Sequence, residues 1–180
     1  MNKQTFTVLI IIIVGMLAIY GFKGQDNGAA EGLDEWREKI TWTEPSITGN
    51  QIATGGKPVF LFVSTEWCTF CKKMKGSTFL DPGVQELLND RFVNIIMNPE
   101  TEGTARFVEG DLSYADLAIK LGVSGYPATF FFSPEGQLIG GQPGYLDVDM
   151  FSDLAEYVGG GFYKDYKFNE FMKLPETERL

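Results

Sequence analysis

The sequence predicts an α/β domain, a central mixed sheet flanked by helices, carried behind an N-terminal hydrophobic signal or anchor segment. Three observations predict it. Short apolar runs of strand length alternate with amphipathic stretches of helical period between residues 33 and 158. Thr5 to Phe22 runs 18 residues without a charge. The two cysteines stand together at a strand-to-helix junction, with two residues between them.

Taken in order, Thr5 to Phe22 is flanked by Lys3 and Lys23 and has no polar face. A bilayer core needs about 20 apolar residues, with about 17 as the lower end, so residues 1–24 read as a signal peptide or as a membrane anchor with the N-terminus in or through the membrane. In both cases the rest of the chain is expected to be exported, to a periplasmic or cell-envelope location. Residues 25–32 have the composition of a linker. Leu33 to Trp42 carries Leu33, Trp36 and Ile40 on one helical face. Pro58 to Thr65 is a continuous apolar run, the mark of a strand buried on both faces. Cys68 to Lys75 reads as helix. Asp81 as N-cap and Pro82 at the first helical position open another, with Val84, Leu87 and Leu88 facing inward.

Arg91 to Met97 is the next buried strand. Asn98 to Asp111 reads as an exposed acidic insertion. Ser113, with Asp116 three residues on, caps a helix that presents Tyr114, Leu117, Ala118 and Leu121 and stops at Gly122. Ala128 to Ser133 and Gln137 to Gly141 make a hairpin around Pro134-Glu135-Gly136. From Asp147 a last helix presents Phe151, Leu154, Ala155 and Val158. Beyond the glycines 159–161, the tail to residue 180 reads as a helix packed back on the domain, with docking to a redox partner as the alternative.

Composition removes several chemistries. The 180 residues include no histidine, so no imidazole base or imidazole metal ligand can be built, and two cysteines cannot complete a four-thiolate site. A formal net charge of −9 argues against a nucleic-acid surface.

Cys68-Thr69-Phe70-Cys71 is left as the chemically capable motif. At a helix start the first cysteine faces unpaired backbone N–H groups and the positive end of the dipole, which stabilises a thiolate. The second lies one turn on, within reach of a disulfide. One thiolate can then attack a substrate disulfide while the other resolves the mixed disulfide. Two other readings stand beside this one. A structural staple would close almost no loop and gain little, and half of a metal site would need ligands from another chain. Lys72, Lys73 and Lys75 add positive charge nearby, Glu66 negative charge, so Glu66 and Lys72 are candidate modulators of the thiol pKa.

Phe60 to Lys72 (FLFVSTEWCTFCK) resembles the active-site strand and turn of thioredoxin-fold proteins, and the continuation through Thr78-Phe79 and Asp81-Pro82 is similar to exported or membrane-anchored thiol:disulfide interchange domains. Gly125-Tyr126-Pro127-Ala128-Thr129 resembles the family's cis-proline loop. The resemblance implies a thioredoxin fold over 33–158 and a thiol-disulfide oxidoreductase with Cys68 as nucleophile and Cys71 as resolving cysteine. It also implies a cis Pro127, and Trp67, Tyr126 and Pro127 as the substrate-binding residues. No cofactor is implied beyond a redox-active Cys68–Cys71 disulfide. The implied partners are protein disulfides and a membrane electron donor.

The chain departs from the family in two places. Thr69-Phe70 replaces the Gly-Pro of reducing thioredoxins, and the family's buried acid falls at Phe62. Together with the missing histidine these lean toward a reductase or electron-passing role. An oxidant, an isomerase and a non-catalytic interaction module are the alternatives.

Overall fold

Five consecutive residues without solvent exposure, Val59–Val63, form the central strand of the fold. Successive side chains of a strand point to opposite faces, so this one supplies two cores at once. Phe60 and Phe62 enter one layer; Val59, Leu61 and Val63 enter the other. The structure is a computed structural model that describes residues 35–43, 46–47, 56–107 and 110–179. The apolar segment Thr5 to Phe22 and the linker 25–32 lie outside the described residues. No helix among the described residues is long and apolar enough to cross a membrane.

The elements, in chain order, are α1 (Glu35–Lys39), β1 (Trp42–Thr43), β2 (Ser46–Ile47), β3 (Val59–Val63), α2 (Thr69–Lys75), α3 (Pro82–Arg91), β4 (Val93–Met97), β5 (Thr104–Phe107), β6 (Gly110–Ser113), α4 (Tyr114–Lys120), β7 (Ala128–Phe132), β8 (Leu138–Pro143), α5 (Val148–Gly159) and α6 (Phe168–Phe171), with 3-10 turns at Thr78–Leu80, Phe162–Lys164 and Glu176–Glu178. The main sheet has the order β1-β4-β3-β7-β8. β1 and β3 pair parallel with β4, whereas β7 runs antiparallel to both β3 and β8. This is the expected mixed sheet covered by helices.

The larger core lies between that sheet and α1, α2, α3 and α5. Phe79, fully buried, is its hub: ring centroids of Phe62, Phe151, Phe60, Trp36 and Trp42 lie 4.9, 5.6, 6.0, 6.0 and 6.1 Å away. Several expected caps are present. The Asp81 carboxylate accepts from the N–H groups of Gly83 and Val84, Ser113 Oγ accepts from Asp116 N–H, and Asp147 accepts from Met150 N–H.

The structure corrects the sequence reading at four places. The first helix is shorter than Leu33 to Trp42, because Thr41 is pinned by side chains: its N–H donates to Asn89 Oδ1 at 2.8 Å, and its carbonyl accepts from Asn94 Nδ2 at 3.2 Å. Trp42 thereby starts β1, with its ring against Phe60 and Phe79. Arg91 ends α3 instead of opening β4, since Phe92 N–H still bonds the Leu88 carbonyl. Asn98 to Asp111 is not a plain exposed insertion. Its second half pairs in the β5–β6 hairpin, which joins β2 in a separate three-stranded sheet and buries Ala105.

The tail, fourth, is not one helix. It is a chain of short turns around Phe171, which has no solvent exposure and packs on Phe162 and Tyr157 at 4.9 and 5.4 Å. Arg179 covers that ring at 5.2 Å, donates to the Met172 and Leu174 carbonyls and lies 3.6 Å from Asp153. Burial pushes the Asp153 carboxyl above its ordinary range, although Arg179 pulls the other way, so the ion pair itself adds little. The packed aromatic rings hold the tail down.

Candidate active site

The topology brings three loops to one end of the sheet. Val63 ends β3, and its register partners are Met97, which ends the parallel β4, and Ala128, which begins the antiparallel β7. The segments Ser64 to Cys68, Asn98 to Glu100 and Gly125 to Pro127 therefore emerge side by side.

Cys68 is the N-cap of α2, and its Sγ accepts from the backbone N–H of Cys71 at 3.0 Å. Cys68 and Cys71 form a disulfide with their Cα atoms 5.2 Å apart. The turn before it is set by the Cys68 N–H, which bonds the Thr65 carbonyl at 3.4 Å. The two sulfurs are not equivalent. Cys71 has no solvent exposure, whereas Cys68 keeps 4% and sits between exposed Trp67 and Phe70. The same amide that meets Cys68 Sγ in the disulfide is placed to stabilise negative charge there once the bond opens.

The Tyr126–Pro127 peptide bond is cis, as the resemblance implied. Pro127 is buried, and its carbonyl accepts from Gly144 N–H at 2.8 Å. The Tyr126 ring meets the exposed Trp67 indole edge-on at 5.8 Å. Trp67, Tyr126 and Pro127 thus share the end of the sheet that carries the cysteines.

Glu66 and Lys72 are exposed, and among the described residues neither side chain is bonded to a sulfur. Lys73 lies 4.3 Å over the Tyr145 ring and Lys75 lies 5.1 Å over Trp36. All three lysines belong to the last turn of α2, where positive charge complements the helix's negative end. The helix terminus is left as the element that touches Cys68 Sγ.

Two features escaped the sequence reading. Glu100 accepts the single indole N–H of Trp67 on both carboxylate oxygens, at 2.9 Å each. The signal was available in the topology, since the end of a strand parallel to β3 must open beside the end of β3. The other is Thr129, directly across from Phe62 in the β3–β7 register; its buried hydroxyl has no hydrogen-bond partner among the described residues. Phe62 itself is fully buried, so no carboxylate occupies that point. Among the described residues no cluster of three or more acidic or cysteine side chains is placed to hold a metal ion.

Comparison with known proteins gives a consistent set. A model of the thioredoxin-like domain family matches residues 49–159. The thiol:disulfide interchange protein DsbD of Escherichia coli (strain K12) is 32% identical over 102 residues, 54% of this chain; the match spans only 16% of that relative's length. A thioredoxin-fold protein from Helicobacter pylori superposes with a TM-score of 0.65 at 18% identity, covering 79% of this chain and 91% of its own, and shows the fold. A putative disulphide-isomerase from Bacteroides thetaiotaomicron gives a TM-score of 0.51 at 26% identity, covering 68% and 93%.

Proposed function

This chain belongs to the thioredoxin-like domain family, and we propose that it is a thiol-disulfide oxidoreductase that serves as an exported reductase of protein disulfides. The observation that carries the reading is the asymmetric Cys68–Cys71 pair at the start of α2, beside the Tyr126–Pro127 loop.

In the reduced protein the Cys68 thiolate attacks one sulfur of a substrate disulfide. A Cys68–substrate bond forms, the substrate S–S bond breaks, and the departing sulfur leaves as thiolate to take a proton from water. Cys71, one turn away, then gives up its proton to water, replacing the one the first substrate thiolate took, and attacks Cys68 Sγ. That step expels the second substrate thiolate and forms the Cys68–Cys71 disulfide. Two electrons have passed from the protein to the substrate. Trp67, Tyr126 and Pro127 hold the substrate chain beside Cys68, with Trp67 shielding the sulfur. The absence of an acid at Phe62, with Thr69-Phe70 between the cysteines and no histidine in the chain, leans toward this reducing role.

Export is supported by the uncharged N-terminal segment and by likeness to thiol:disulfide interchange proteins. A membrane electron donor on the same side would re-reduce the pair. The test is insulin reduction with dithiothreitol as the electron source. The protein is expected to shorten the lag before the freed B chain precipitates. A lag identical to dithiothreitol alone overturns the reading.

A further inference from the structure

Trp67 is unusual among the large apolar side chains: 64% of it is exposed, yet it is held at two points. One edge of the indole meets Tyr126, and the N–H is shared between the two oxygens of Glu100. An indole nitrogen has one proton and no acceptor capacity, so this contact uses all of its hydrogen-bonding ability. Glu100 is in turn fixed by its backbone. Its N–H donates to Asn98 Oδ1 at 3.0 Å, while the Asn98 carbonyl accepts from both the N–H and the hydroxyl of Thr101, at 3.2 and 2.9 Å. The turn grows directly from the end of β4 at Met97, whose carbonyl also accepts from Ser64 N–H at 3.0 Å. The β4 loop and the active-site turn are thus braced together before any substrate arrives.

We propose that Glu100 is a positioning residue that clamps the Trp67 indole against Tyr126, so that the two rings form a preset wall of the groove through which a polypeptide disulfide reaches Cys68. An exposed indole without such a clamp samples several rotamers, and a substrate would have to order it on binding, at a cost in affinity. The carboxylate suits the task better than a neutral acceptor, since a charged acceptor makes the stronger bond. The clamp acts on substrates large enough to lie along the wall. A small disulfide that meets only Cys68 Sγ does not use it.

This inference rests on the reading of the chain as a reductase of protein disulfides, and its test separates the two. The full-length protein is compared with Glu100→Ala and Glu100→Gln, using insulin as the large disulfide and oxidised glutathione as the small one. For Glu100→Ala, KM for insulin is expected to rise about fivefold, the size of one ordinary net hydrogen bond, with kcat and the glutathione rate unchanged. Glu100→Gln, whose amide oxygen still accepts, is expected to recover most of the loss. The Trp67 indole N–H resonance, assigned by its disappearance in Trp67→Phe, is expected to exchange faster with solvent in Glu100→Ala only. Equal insulin kinetics in all three proteins overturn the clamp. So does an equal loss toward both substrates, which would place Glu100's effect on the thiol. A wild-type protein that reduces neither substrate overturns the functional reading instead.

Discussion

Cys71→Ser accumulates a covalent adduct with its disulfide substrate, and Cys68→Ser forms none. The difference follows from the position of the two sulfurs. Cys68 caps α2 and keeps a little exposure between Trp67 and Phe70, whereas Cys71 is sealed beneath it. Removing Cys71 leaves the attacking thiolate intact but deletes the group that resolves the mixed disulfide, so the reaction stops halfway. Removing Cys68 leaves a buried sulfur that a substrate cannot approach. The expected result is a dithiothreitol-sensitive band shift on non-reducing gels for Cys71→Ser, and insulin reduction at the background rate for Cys68→Ser. Adducts on Cys68→Ser in place of Cys71→Ser would reverse the assignment.

The second large effect concerns stability. Phe79 touches five aromatic neighbours from α1, β1, β3 and α5, and its ring is completely enclosed. Phe79→Ala is therefore expected to cost about 3–5 kcal/mol, the range for emptying an aromatic site in a close-packed core. A domain of this size holds about 5–15 kcal/mol in all, so the variant should unfold at far lower urea. With no staple other than a disulfide spanning three residues, nothing covalent compensates. Equilibrium urea unfolding of the oxidised protein measures the loss directly. A change below about 1 kcal/mol would mean that the ring cluster relaxes around the void.

The long-range order was legible because it depends on burial. Val59–Val63 is apolar throughout and Ala128–Phe132 is apolar but for Thr129, and such runs fit a central strand buried on both faces. The Cys68–Cys71 junction was legible for a related reason, since a cap and a one-turn spacing are local properties. What could not be read was decided by partners distant in sequence. The helical face of Leu33, Trp36 and Ile40 suggested a helix running on to Trp42, yet Asn89 and Asn94, some fifty residues on, take Thr41 out of the helix. Thr104–Phe107 looks like part of a polar loop until the β6 strand returns beside it. Glu100 is one acid in an acidic stretch, and its carboxylate finds Trp67 only because β3 and β4 run parallel and end together. The lysines of α2, neighbours of the cysteines in sequence, lie in the last turn of that short helix, where Lys73 covers the Tyr145 ring and Lys75 the Trp36 ring.

In the proposed mechanism the start of α2 makes Cys68, and not Cys71, the reactive thiolate. Alkylation of the reduced protein by iodoacetamide as a function of pH, with each cysteine followed by mass spectrometry, tests it most directly. Cys68 is expected to be modified first, with a midpoint below the ordinary thiol range, while Cys71 stays protected across the same pH span. Modification of Cys71 first, or a Cys68 that titrates like a free thiol, would contradict it.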